Sequence, residues 1–308
     1  MSQDVASAGS WKGVFPALCT TFNSDGALDI EAQRAVVRFA LASGAHGLVC
    51  FGLAGEVNKL TPGEREAVGT AIIEEAAGRV PVLVGVGAEA THTARRLARF
   101  FTDHGADGLV IAAPATTRLA DRELYVHFSA VAGETDLPVV IQDAPEYLGV
   151  KISPEFVARL AAEHPHVRYV KVECGPEDTV PWVDSMGPDI GVFTGDAGLF
   201  LTETLRAGAV GSVPGVEVTD LLVEIYETEM RADRVAADQL LMKLLPYLRF
   251  SLQGIDHYNA CAKEVLHRRG IIPRNGLRGP GPVLSDVASA LLDGYLANLD
   301  LRPSRLSS

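Results

Sequence analysis

The stretch PVLVGVGAEATHTARRLARFFTDHGADGLVIA, residues 81–112, reads as strand, helix, strand. Short apolar runs at Val82–Val86 and Gly108–Ala112 flank a helix-period segment over 91–104. A strand that returns through a helix to a second strand makes a parallel βαβ unit. The alternation extends both ways. Upstream lie strands at Val14–Cys19 and Gly47–Phe51, with helices over 30–43 and 62–78. Downstream lie strands at Val139–Gln142, Tyr169–Glu173, Val192–Gly195 and Val210–Val213, with helices over 122–134, 153–163, 178–186 and 197–207. Two helix starts carry clear signals. Thr61-Pro62-Gly63-Glu64 offers a cap, a first-turn proline and a glutamate three residues on, and Ser153-Pro154-Glu155 is similar. Eight strands within the first 215 residues fit an α/β TIM (β/α)8 barrel better than a doubly wound sheet. No GxGxxG follows the first strand, which weakens a dinucleotide-binding reading. The expected division is a barrel over 1–215 carrying the active site, then a C-terminal helical segment over 216–308. That segment has helical patterns at 219–231, 233–250, 255–269 and 284–298.

Composition bounds the partners. The 308 residues are 47% hydrophobic and 21% charged, an ordinary globular profile. With 27 basic and 39 acidic side chains the net charge is −12. This argues against nucleic acid or an anionic membrane as partner, but not against a small anionic substrate at a locally positive site. Cys19, Cys50, Cys174 and Cys261 are widely spaced with no CxxC pair, so neither a zinc site nor a disulfide framework is signalled. A reducing cytoplasm is the expected compartment. The polar N-terminus MSQDVASAGS does not read as a secretory signal. No run reaches the ~18 apolar residues of a membrane helix. The histidines form no metal-ligand pattern, and the 164/166 pair precedes the sixth strand, at the wrong end of a barrel for chemistry.

One residue stands out against this background. The chain has six lysines, and Lys171 lies in the apolar run Val167-Arg168-Tyr169-Val170-Lys171-Val172-Glu173. An ammonium buried without a partner is expensive, and a lysine that escapes as a neutral amine can attack a carbonyl. Lys171 is therefore a candidate Schiff-base nucleophile. The alternative is a lysine at a strand end whose amine reaches solvent.

Further residues place Lys171 in a pattern. These are Gly13-Val14-Phe15-Pro16-Ala17-Leu18-Cys19-Thr20-Thr21-Phe22, Gly52-Leu53-Ala54-Gly55-Glu56, Leu60-Thr61, Glu64-Arg65, Pro81–Gly87, Gly105-Ala106-Asp107-Gly108, Asp136-Leu137-Pro138, Val170-Lys171 and Gly208-Ala209-Val210-Gly211. In this order and spacing the chain resembles the dihydrodipicolinate synthase / N-acetylneuraminate lyase family of pyruvate-type class I aldolases. The resemblance implies a TIM barrel with a C-terminal helical segment, and Lys171 as the Schiff-base lysine. It also implies that the GxxGE loop binds the carboxylate of a 2-oxo acid through backbone N–H groups at Leu53 and Ala54. No cofactor or metal is implied. A homo-oligomer, dimer or tetramer, is expected by resemblance.

The departures are informative. Where the family carries Tyr-Asn-x-Pro after strand 5, this chain has Gln142-Asp143-Ala144-Pro145. An amide can hydrogen-bond but cannot replace a phenol as acid or base. Leu53 and Ala54 supply no hydroxyl, and Pro114-Ala115-Thr116 stands in place of a Pro-Tyr-Tyr turn. All three members of the usual proton relay are thus missing. The arginine that dihydrodipicolinate synthase uses for its second substrate aligns with Tyr147, which argues against that synthesis.

Glu173 is the first candidate to move protons instead. Residues two apart on a strand face the same way, so Lys171 and Glu173 both point into the barrel mouth. There Glu173 either shuttles protons to a neighbouring carbon or hydroxyl, or only pairs with Lys171 or caps a loop. Asp143 is a second candidate, unless it fixes a turn before Pro145. Gln142, Thr116 and Val213 complete the expected substrate-binding set with Leu53, Ala54 and Asp143. Glu56 is expected to hold its own loop. His257 and Tyr258 can reach over the barrel mouth or simply pack.

Three functions follow. The leading one is a cofactor-independent lyase on a 2-oxo acid such as pyruvate or a 2-keto-3-deoxy sugar acid. A second is a non-catalytic paralogue that binds an oxo acid as sensor or assembly partner. A third is a barrel binding phosphate at the turns after strands 7 and 8, although no basic residue lies beside them.

Overall fold

A computed structural model describes residues 11–299 and 301. Eight parallel strands run in the order β1-β8-β7-β6-β5-β4-β3-β2. They are β1 (Gly13–Val14), β2 (Leu48–Cys50), β3 (Val82–Gly85), β4 (Gly108–Ala112), β5 (Val139–Asp143), β6 (Val167–Val172), β7 (Gly191–Thr194) and β8 (Gly211–Ser212). The ring closes beyond β1, where Ala17 bridges both Val49 and Gly215. Pro16 has no N–H to give, which cuts the expected Val14–Cys19 strand into a short ladder and an isolated bridge. Its carbonyl still accepts the Val49 N–H at 3.0 Å, and the Leu18 N–H reaches the Val49 carbonyl at 2.8 Å.

The helices are α1 (Ile30–Ala42), α2 (Pro62–Ala76), α3 (Thr91–Asp103), α4 (Asp121–Ala132), α5 (Pro145–Leu148), α6 (Pro154–Glu163), α7 (Pro176–Met186), α8 (Leu201–Arg206), α9 (Thr219–Met230), α10 (Arg234–Ser251), α11 (Ile255–Arg268) and α12 (Asp286–Leu296). Helix α2 opens with the full reciprocal cap of Thr61 and Glu64, and α6 with the Ser153 hydroxyl on the Phe156 N–H. The short α5 was not expected. It follows Pro145 and stops where Gly149 takes a left-handed conformation at φ 67°. The expected boundary at 215/216 falls between β8 and α9. Helix α9 packs against β1, and α10 to α12 extend beyond it.

Strand alternation divides the core. Phe15, Leu83, Val110, Val140, Tyr169 and Phe193 fill the barrel interior. Val84, Ile111, Ile141, Val170 and Val172 face the surrounding helices. Trp11 stacks on Tyr169 at 5.0 Å between ring centroids, and its backbone N–H donates to the tyrosine hydroxyl at 3.0 Å. A further cluster, including Leu222, Leu244, Leu248, Val265 and Leu292, joins α9 to α12. No helix among the described residues is long and apolar enough to cross a membrane. The four cysteines are free thiols.

Candidate active site

Alternation along β6 sets Tyr169 inside the barrel, with Val170 and Val172 outside. Lys171 shares the parity of Tyr169 and lies near the C-terminal end of the strand, where barrel enzymes hold their chemistry. Glu173 follows two positions later. The Lys171 Nζ and Glu173 Oε1 atoms are 2.5 Å apart, and both side chains are largely shielded from solvent. On the neighbouring strand Gln142 is in register with Lys171, and its Nε2 donates to the same Oε1 at 3.2 Å. The other carboxylate oxygen accepts the Asp196 backbone N–H at 2.6 Å. A Cβ at position 195 would overlap the Glu173 carboxylate, so glycine there makes room for it.

These groups open onto a cavity of about 330 Å³. Of the expected site residues, Leu53, Ala54, Gln142, Lys171, Glu173 and Val213 line it. Asp143 and Thr116 do not. Asp143 adjoins Gln142 on β5 and so takes the opposite parity. Its carboxylate accepts the Ile152 N–H at 2.9 Å and fixes the loop after α5, while burial pushes its pKa upward. Thr116 is exposed, and the Glu89 carboxylate holds its turn through the N–H groups of Ala115 and Thr116 at 3.1 and 3.0 Å.

The loop after β2 supplies the opposite wall. Gly52 is extended, Leu53–Gly55 forms one 3₁₀ turn, and the Leu53 and Ala54 N–H groups meet no backbone acceptor among the described residues. Glu56 does not line the cavity. It accepts Lys263 Nζ at 2.5 Å, Lys59 Nζ at 3.0 Å and the Arg278 N–H at 3.2 Å. The Lys263 side chain is 1% exposed, so this carboxylate answers a fully buried ammonium. Asn259 adds a bond to the Leu53 carbonyl at 3.3 Å. Glu56 thus holds its loop, and holds it to the chain's C-terminal part.

Tyr258 borders the cavity, but its hydroxyl donates to Glu217, 3.1 Å from either oxygen. Tyr247 donates to the same carboxylate at 2.9 Å, and burial pushes the Glu217 pKa upward. His257 bonds the Ser251 carbonyl at 3.1 Å. The turns after β7 and β8 are already filled. Glu173 takes the Asp196 N–H, and the Tyr258 hydroxyl occupies the space beside Gly215. A phosphate there would meet carboxylates, which overturns the phosphate-binding reading.

Tyr147, Arg65 and Asp196 are among the lining residues outside the expected set. Tyr147 on α5 faces the cavity, and burial followed by the Glu173 and Asp196 carboxylates pushes its phenol up to about 12. Arg65 on α2 is buried, donates to the Gly85 and Gly87 carbonyls at 2.5 and 3.0 Å, and holds the turn after β3. Asp196 follows β7. Its one sequence signal was an acid in the turn after a barrel strand, at the catalytic end.

Comparison with known proteins agrees with this architecture. The model of the dihydrodipicolinate synthetase family matches residues 10–291. A 4-hydroxy-tetrahydrodipicolinate synthase of Methanosphaerula palustris is 34% identical over 94% of this chain and 100% of its own length. An Escherichia coli protein carrying the name probable 2-dehydro-3-deoxy-D-pentonate aldolase YjhH is 31% identical over 76% of this chain and 80% of its own. The crystal structure of dihydrodipicolinate synthase from Rhodopseudomonas palustris superposes with a TM-score of 0.87 at 30% identity, covering 94% of this chain and 98% of that one.

Proposed function

The chain belongs to the dihydrodipicolinate synthetase family, and on that premise we propose that it is a class I lyase for a 2-oxo acid, with Lys171 as the Schiff-base nucleophile. The observation that carries this reading is the Lys171–Glu173 pair, 2.5 Å apart, lining a cavity at the C-terminal end of β6. Glu173 accepts the ammonium proton, and the free amine adds to the substrate ketone. The same carboxyl returns the proton to the carbinolamine hydroxyl, which leaves as water. The open N–H groups of Leu53 and Ala54 receive the substrate carboxylate. Gln142 steadies Glu173 rather than acting as acid or base.

The imine then serves as electron sink for aldol cleavage, aldol addition or dehydration, so no cofactor is required. The substrate class is pyruvate or a 2-keto-3-deoxy sugar acid. Support comes from the aldolase named among the relatives and from Tyr147, a neutral phenol where a dihydrodipicolinate synthase carries arginine. The four free, widely spaced cysteines favour a reducing cytoplasm, and the family resemblance favours a homo-oligomer.

Incubation with pyruvate and borohydride, followed by peptide mass spectrometry, tests this. A reduced adduct on Lys171 is the expected result. Absence of an adduct with pyruvate and with a panel of 2-oxo acids overturns it. Glu173→Gln is expected still to accumulate that adduct at long incubation while turnover falls roughly 10²–10⁴-fold, the usual share of a positioned acid–base group. Unchanged turnover in this variant would remove Glu173 from proton transfer.

A further inference from the structure

Glu173 is heavily committed. Its Oε1 faces Lys171 Nζ at 2.5 Å and Gln142 Nε2 at 3.2 Å, and its Oε2 takes the Asp196 N–H at 2.6 Å. A carboxylate held in this way serves the amine it touches. Reaching a substrate carbon would mean giving up bonds it already has.

Asp196 presents the opposite case. Its side chain lines the same cavity and accepts no hydrogen bond from any described protein group. Its backbone adopts φ 47°, a conformation Asp tolerates better than most residues, and Ala197 follows at φ 52°, which disfavours a residue with an ordinary Cβ. The turn persists because the Gly198 N–H bonds the Gly195 carbonyl at 3.0 Å and the Leu199 N–H bonds the Asp196 carbonyl at 2.9 Å. Backbone conformations of this cost are kept where the surrounding structure has a use for them. Here the turn delivers an N–H to Glu173 and leaves a carboxylate on the same cavity without a hydrogen-bond donor among the described residues.

We propose that Asp196 is the base that takes the proton from C3 of the 2-oxo acid once Lys171 holds it as an imine, and that it returns a proton to C3 when the enamine collapses. The inference rests on the Schiff-base reading above and assigns the carbon proton within it. In the forward step the C3–H bond breaks and its electron pair becomes the C2=C3 bond. The C2=N π pair moves onto nitrogen, and the proton rests on the Asp196 carboxylate. The reverse step regenerates the imine. Glu173 works on nitrogen and oxygen, Asp196 on carbon.

The groups around Asp196 suit this role. Lys171 and Glu173 face it from β6 and its end, Glu146 and Tyr147 from α5, and the Cys174 thiol lies nearby. Burial and then the Glu173 carboxylate push Asp196 up to about 6, while Lys171 pulls the other way. The basic form of Asp196 accumulates above about pH 6, so proton removal from C3 should quicken as pH rises through that value.

The test follows the methyl protons of pyruvate in deuterium oxide by NMR, in parallel with borohydride trapping. The wild-type protein is expected to trap pyruvate on Lys171 and to exchange the methyl protons, with a rate that rises through about pH 6. Asp196→Asn keeps a side chain well tolerated at positive φ. It is expected to trap pyruvate as the wild type does while exchange falls about 100-fold or more and the inflection disappears. Asp196→Glu should keep the inflection. Exchange by Asp196→Asn within a fewfold of wild type overturns the proposal. Loss of trapping together with exchange in that variant overturns it too, by making Asp196 a support for Lys171. Failure of the wild type to trap any 2-oxo acid instead removes the Schiff-base reading beneath it.

Discussion

Replacing Lys171 with methionine is expected to abolish the borohydride adduct and to lower turnover by on the order of 10⁴-fold or more, the scale reached when a covalent nucleophile is lost. The substitution keeps an unbranched chain of similar length in a mostly shielded position, so packing changes little. Glu173 loses its cation but keeps the Gln142 amide and the Asp196 N–H. The folded state therefore survives, and thermal melting serves as the control. Residual turnover within tenfold of wild type, on whichever 2-oxo acid the protein accepts, would exclude covalent catalysis through Lys171.

The largest effect on stability is expected at Glu56. Removing this carboxylate in Glu56→Ala leaves the Lys263 ammonium, 1% exposed, with no paired anion among the described residues, only the Gly276 carbonyl at 3.1 Å and the face of the Phe22 ring at 4.5 Å. Breaking a buried pair from one side costs about 3–5 kcal/mol, because the remaining charge stays uncompensated. Denaturant unfolding should show the loss as a lower midpoint. The double replacement Glu56→Ala with Lys263→Met should recover part of it, since no buried charge is then left alone. A loss below about 1 kcal/mol in the single variant would mean that Lys263 finds water or another acceptor.

Much of the fold could be read from local pattern. Apolar runs and helix-period segments marked eight strands, and the capping residues Thr61 and Ser153 marked helix starts that the structure reproduces. The Lys171–Glu173 pairing was legible for the same reason, since period-two alternation is a property of the strand itself. That rule also explains the error at Asp143, whose neighbour Gln142 already occupied the inward parity. Thr116 and Asp196 were beyond such rules. Both lie in turns after strands, where side-chain direction is set by groups far along the chain. Glu89 holds the Thr116 turn, and Glu173 takes the N–H of the Asp196 turn. Helix α5 was hidden by its four residues, too few for periodicity to register.

The anchoring of the loop after β2 carries a consequence for how the protein is made. Glu56 meets Lys263 across 207 positions of sequence and the Arg278 N–H across 222, while Leu53 meets Asn259 across 206. During synthesis the strands leave the ribosome first and can assemble in order, as N-terminal parts of a chain generally do. The loop expected to hold the substrate carboxylate waits for partners that emerge more than two hundred residues after it. A nascent barrel is thus built before its binding wall is fastened, and competence to grip substrate arrives only after the eighth strand has already emerged.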